Sequence, residues 1–260
     1  MSENNIEFVC IGAKAFVGGY SNKNGIHSYL GDIEKRNPRP YDPKYNHGLC
    51  DECRVEVANI WLKSICEERL QSLSFDNFIK EKSLKAYESA ISFDPTDGKS
   101  IMFWSKSPGT GKTHLSIAVV KQYLVNYMLA YNLWGKEFSS HRNPANIITE
   151  TELIDQIRAS FGEDEGESES EIVSRHTNVS LLLLDDVGKV TFAKDDFLNR
   201  IYFMVIDRMY NKKKSLIITC NSPLMELSRH IGQSCVSRLY EMCGSNIFEV
   251  SGKDYRRDSK

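Results

Sequence analysis

Long apolar runs are missing from this 260-residue chain. No stretch approaches the roughly 18–20 consecutive apolar residues that cross a bilayer, which argues against a membrane-spanning helix. A charge excess of either sign is missing too, since 33 basic against 35 acidic residues leave a formal net charge of -2. The surface is not coated in positive charge, so any contact with nucleic acid has to come from a local basic patch. Cysteine is sparse, odd in number and scattered, with seven residues in all. Without a signal-peptide pattern at the start, that usage speaks against a disulfide scaffold and predicts a reducing, cytoplasmic setting. No internal repeat is apparent. What is present, 41% hydrophobic and 26% charged residues, suffices for one sizeable α/β core and a small appended module.

Residues 1–72 differ in texture from the rest. Segments such as "GGYSNKNG" and "EKRNPRPYDPKYNHG" are rich in Gly, Asn, Pro and charge, which predicts a loop-rich module ahead of a main domain over 73–260. Val57, Ile60, Trp61, Ile65 and Leu70 recur at helical spacing and predict a helix over 55–73 that leads into that domain. Beyond Lys99, "SIMFWS", "ANIITE", "VSLLLLDD", "KSLIITCN" and "NIFEV" read as strands. Amphipathic segments over 111–133, 150–161 and 195–211 read as helices, with shorter ones at Leu224–Arg229 and Ser234–Met242. Strands alternating with helices predict an α/β fold with a parallel sheet covered on both faces. The acidic run "GEDEGESESE", 162–171, has no apolar residue and reads as a solvated loop.

The stretch "KSPGTGKTH" carries the chemistry. In the pattern G-x-x-x-x-G-K-[ST], glycines let backbone amides converge on phosphates at a helix start, where the dipole also favours negative charge. Pro108, Gly109, Thr110, Gly111, Lys112, Thr113 and His114 lie between a predicted strand and a predicted helix, as the motif requires. Lys106 replaces the first glycine and is expected to point outward. Lys112 would reach the terminal phosphates and Thr113 would ligate magnesium. Four leucines then deliver Asp185 and Asp186 to the carboxyl edge of the sheet, where ligands bind. Asp185 would organise the magnesium shell, and Asp186 would orient or deprotonate the attacking water. The strand "SLIITCN" ends at Asn221, which suits either a helix cap or a reader of the terminal phosphate.

In order and spacing, "SFDNF", "GTGKTHL", "LLLLDD", "IDRMYNKKKSLIITCNSP", "CVSRLYEM" and "GKDYRR" resemble the AAA+ ATPases, within them the helicase-loader group of DnaC, DnaI and IstB-like proteins. The likeness covers residues 73–257. It implies a P-loop (AAA+/RecA-like) core without a helical lid, ATP hydrolysis with Mg2+, and a replicative helicase hexamer and single-stranded DNA as partners. Phe75 or Phe78 would pack near the base, or else serve as a staple at the domain entry. Asn221 becomes the phosphate sensor. Arg238 is similar to the arginine that such ATPases insert into a neighbouring subunit's site, which implies a nucleotide-dependent homo-oligomer. Arg208, Lys212, Lys213 and Lys214 would add charge for DNA, or form a solvated turn. Asp186 stands where many AAA+ proteins have glutamate, and the shorter side chain predicts slow turnover.

Such loaders often begin with a helicase-binding domain that sometimes carries zinc. In "HGLCDEC", Cys50 and Cys53 have the two-residue gap of a tetrahedral zinc turn, with His47 nearby; Cys10 is the best third candidate and His27, His47 or Cys66 the fourth, and ordinary thiols in a turn are the alternative. Two other functions fit the core alone. A transposition helper would use the same ATPase, and a P-loop kinase of small molecules would leave "SRLYEM" unexplained.

Overall fold

The computed structural model describes residues 8–10, 46–48, 51–80, 83–130, 143–161, 166–190, 195–252 and 254–255, with backbone alone for 8–10, 46–48, 51–53, 130 and 195. It divides into two compact units, residues 1–64 with 121–143, and residues 65–120 with 144–260.

In the first unit, β1 (Phe8–Cys10) pairs in parallel with β2 (Asn46–Gly48), setting Val9 against His47 and Cys10 against Gly48. The zinc expectation on Cys10, His47, Cys50 and Cys53 lies outside the described residues, because none of those side chains is among them. Among the described residues no group of three His, Cys, Asp or Glu could hold a metal ion. Helix α1 (Asp51–Ile65) ends before the predicted boundary, and a single 3-10 turn, Glu68–Leu70, follows it. Val57, Ala58, Trp61 and Leu62 are buried, as are Tyr123, Leu124 and Met128. The Trp61 and Tyr127 rings lie 6.2 Å apart, and the Arg54 guanidinium donates to the Leu129 carbonyl at 3.0 Å.

The second unit is built on a five-stranded sheet. In chain order its strands are β3 (Ile101–Trp104), β4 (Ala145–Thr149), β5 (Leu181–Val187), β6 (Ser215–Cys220) and β7 (Ile247–Glu249). In space the order is β4-β5-β6-β3-β7, and every ladder is parallel. Leu181 to Leu184 are each at most 1% exposed, so this strand is covered on both faces, and that is why its run is continuous rather than alternating. The helices that precede, bridge or follow the sheet's strands along the chain are α2 (Leu84–Ile91), α3 (Lys112–Ala130), α4 (Glu150–Ala159), α5 (Glu169–Thr177), α6 (Asp195–Asn211), α7 (Ser228–Ile231) and α8 (Gln233–Cys243).

Two local readings change. The acidic run is not loop to its end: α5 starts inside it at Glu169. Ser168 and Glu171 form a capping box, with Ser168 N–H donating to Glu171 at 2.8 Å and Glu171 N–H donating to Ser168 at 3.3 Å, while Ile172 and Val173 bury the helix's inner face. The expected helix at Leu224–Arg229 is instead a series of turns, and α7 begins only at Ser228.

Candidate functional site

The loop after β3 is shaped by two glycines that no other residue replaces. Gly109 (φ 68) and Gly111 (φ 102) are left-handed, and a β-carbon on either would meet a neighbour, the Asp254 carboxylate for Gly109 and Phe78 Cε2 at 2.7 Å for Gly111. Lys106 is exposed, so the missing first glycine costs the cradle nothing. Lys112 opens α3 and is buried, its ammonium 3.3 Å from the Ser107 carbonyl. Burial pushes the Lys112 pKa down against the upward pull of the Asp186 and Asp185 carboxylates. Thr110 Oγ1 is buried and makes no hydrogen bond, a polar atom that a phosphate oxygen would satisfy.

Thr113, the second residue of α3, hydrogen-bonds both oxygens of Asp185 at 3.1 Å from 72 residues away. Asp185 is 6% exposed and also accepts from the Thr219 hydroxyl at 2.5 Å. Burial raises its pKa, and the two threonine donors oppose that rise. Hydroxyl and carboxylate together are hard oxygen donors of the kind magnesium takes, so these residues fit that ion.

Between Leu184 and Val187 the ladder of β5 with β6 slips by one residue. This bulge turns Asp186 into a left-handed conformation, φ 61, and its N–H donates to Thr219 Oγ1 at 2.8 Å. The extra residue is what brings two consecutive acids to the same cavity, because alternation along a regular strand would send them to opposite faces. Lys189 reaches back to Asp186 with its ammonium at 2.5 Å.

The cavity, about 460 Å3, is lined by the phosphate loop from Pro108 to His114, by Asp185, Asp186 and Asn221, and by Phe78. Asn221 sits one residue past β6 and starts no helix, so the capping alternative falls away. Phe75 does not line the cavity; it meets the Tyr87 ring edge-on at 5.7 Å, while Phe78 stacks on Tyr87 and meets the His114 ring edge-on at 5.2 Å. His114 Nε2–H points at two acceptors, the Ser74 carbonyl and Asn77 Oδ1, both at 2.9 Å. Burial lowers the His114 pKa, against the upward pull of the Ser74 carbonyl. Arg69, Asn77, Thr149, Lys189 and Tyr255 also line the cavity, and sequence reasoning passed over them. Asn77 alone had a local signal, as the far end of the Ser74 capping box.

Arg238 lies elsewhere. It pairs with Asp207 at 3.0 Å and its guanidinium covers the Phe203 ring at 4.8 Å. Two of the cations expected to meet DNA are tied internally, Arg208 to Ser170 and Lys214 to the Thr177 carbonyl.

A glycine loop entering a helix, whose second residue grips a buried acid from the next strand but one, is how P-loop nucleotide-binding domains are built. With this parallel strand order, the domain has the AAA+ fold. More particularly, the chain is similar to the replicative helicase loader DnaC of Escherichia coli (strain K12), with 27% identity over 199 residues, 71% of this chain and 73% of that one. A crystal structure of the DnaC helicase loader matches with a TM-score of 0.53 and 25% identity, covering 71% of this chain and 100% of the other. The replication initiator DnaA bound to AMPPCP and single-stranded DNA shares the fold, with a TM-score of 0.51, 19% identity and coverage of 70% and 50%. No protein-family model matches the chain. The resemblance drawn from the motifs to the DnaC/DnaI-like AAA+ proteins is supported by these likenesses. Among the described residues no helix is long and apolar enough to cross a membrane.

Proposed function

We propose that the protein is an ATP-hydrolysing helicase loader, whose nucleotide state governs its hold on a replicative helicase hexamer and on single-stranded DNA. The observation that carries this reading is the Thr113–Asp185 contact beneath the glycine loop, in a chain similar to DnaC over 71% of its length. Pro108 to Thr113 would wrap the phosphates, with Lys112 as a point charge on the terminal ones. Thr113 and Asp185 would hold magnesium, which when bound neutralises charge on the phosphate oxygens. Asp186 orients the attacking water and accepts its proton, and Asn221 reports the terminal phosphate. His114 fixes the Ser74–Phe78 segment over the loop, so that Phe78 flanks the base.

A second copy would supply Arg238, so turnover is slow in the monomer and rises on assembly. Residues 1–72 are the partner-binding module and 73–260 the ATPase domain. The test is co-elution with a purified hexameric replicative helicase, with and without ATP, together with nucleotide binding. Lys112→Ala should weaken ATP binding about 100-fold, the loss expected for charge-assisted contacts to phosphate, and abolish the nucleotide dependence of co-elution. Stoichiometric phosphorylation of a small-molecule acceptor would overturn the reading, and selective capture of a transposase would redirect it.

A further inference from the structure

Of the two buried acids among the described residues, Asp185 lines the cavity and Glu150 does not. Glu150 is 1% exposed, yet its oxygens are surrounded by donors. Oε2 accepts from the backbone N–H groups of Lys189 at 2.6 Å and Val190 at 2.8 Å. Oε1 accepts from the Tyr202 hydroxyl and from His230 Nε2 at 2.5 Å. Burial alone would drive the Glu150 carboxyl up, but the His230, Tyr202 and Val190 donors outweigh it and leave the pKa below its ordinary value.

The two amides that Glu150 grips belong to the turn that follows β5. That turn carries Lys189, whose ammonium holds Asp186. Asp186 itself has a backbone conformation that a non-glycine residue keeps only when its surroundings enforce it. Thr219 holds the Asp186 N–H, so the residue is fixed on one side by Thr219 and on the other by the turn. Glu150 is well placed to act as an anchor. It follows Thr149, which pairs in register with Asp185 and caps α4 through Glu152. Tyr202 on α6 and His230 on α7 then hold its carboxylate from the helices.

We propose that Glu150 is the positioning residue for Asp186: by gripping the amides of Lys189 and Val190, it holds the turn after β5 in the shape that keeps the Asp186 carboxylate at the nucleotide cavity. This rests on the reading of Asp186 as the acid that orients the attacking water. Glu150 touches no nucleotide in this role and acts through the backbone of the turn. Phosphate binding belongs to the loop and α3, so loss of Glu150 should separate turnover from affinity.

The experiment measures single-turnover ATP hydrolysis and nucleotide Kd for the full chain and for Glu150→Gln, Asp186→Asn and the double variant. Glu150→Gln should lower turnover about 10- to 100-fold, the range expected when a reacting group is misplaced by an ångström, with Kd within about threefold. In the Asp186→Asn background, Glu150→Gln should cost nothing further, because two residues that act as a unit are not additive. Tyr202→Phe removes one donor and leaves the carboxylate in place, which covers a Glu150→Gln chain that does not fold. It should lower turnover about threefold at unchanged Kd, and only while Asp186 is present. Multiplying losses, a parallel fall in affinity, or full turnover in both Glu150→Gln and Tyr202→Phe overturns the proposal. An Asp186→Asn chain with full turnover overturns the hydrolysis reading itself, whereas an inactive Asp186→Asn beside an active Glu150→Gln defeats only the role of Glu150.

Discussion

Thr219 uses one hydroxyl twice, donating to Asp185 and accepting from the Asp186 amide. The residue is fully buried, and it supplies the acceptor for the Asp186 amide and one of the two hydroxyl donors to Asp185. Thr219→Val keeps the shape, leaves the Asp186 amide without this acceptor and leaves Asp185 with the Thr113 hydroxyl alone. It should cost about 1.5–3 kcal/mol in urea unfolding, the range for a buried hydrogen bond to a charged group, and should lower turnover as well. His176 offers a pH test. Asn146 donates to its Nδ1 at 2.8 Å, and its Nε2–H donates to Gln156 at 2.8 Å, an arrangement open only to the neutral ring. Burial, with help from Arg175, pushes its pKa from 6.5 down to about 4. Between those values the unfolded chain binds more protons than the folded one. The contribution of His176 is thus complete above about pH 6.5 and is lost as pH falls toward 4. His176→Gln keeps an acceptor and a donor without titrating, so thermal melts from pH 7 to 4 should fall less steeply for the variant.

The loop between β3 and α3 and the bulge in β5 are the elements on which the site depends. Each places backbone where a regular helix or strand would not. Gly111→Ala tests the loop: the new methyl would need φ near 102 and would press on Phe78. The variant should lose about 1–3 kcal/mol of stability from backbone strain and bind ATP at least about tenfold more weakly, read by fluorescent-nucleotide titration. The loop was legible in the sequence because its chemistry is contiguous, with glycines, lysine and threonine in a row. The bulge was not, since "LLLLDD" looks the same with or without it. Only pairing with β6 reveals the extra residue that sets Asp186 apart from Asp185. The start of α5 was readable in principle from Ser168 and Glu171, although the surrounding acidity argued for loop.

For the molecule as a whole, the role proposed for Arg238 is what would make one chain insufficient for full turnover. Arg238 is absent from the cavity lining of its own chain and is held by Asp207 and Phe203. If a second copy receives it, Arg238→Ala should leave nucleotide Kd unchanged and remove the rise in turnover on assembly, an effect worth about 10³-fold or more where such arginines act. Sedimentation with and without ATP, beside phosphate release, measures both. Equal loss of binding in Arg238→Ala would place the residue in folding instead.

Sequence alone was enough to determine the alternation of strands and helices, the parallel α/β class and the phosphate loop, because each follows from local periodicity or from neighbours along the chain. Tertiary structure decided which distant groups meet. His114 reaches Asn77 across 37 positions, Glu150 reaches Lys189 across 39 and Thr113 reaches Asp185 across 72. No local pattern encodes such pairs, since they form only after the parallel sheet has brought the ends of its strands to one edge.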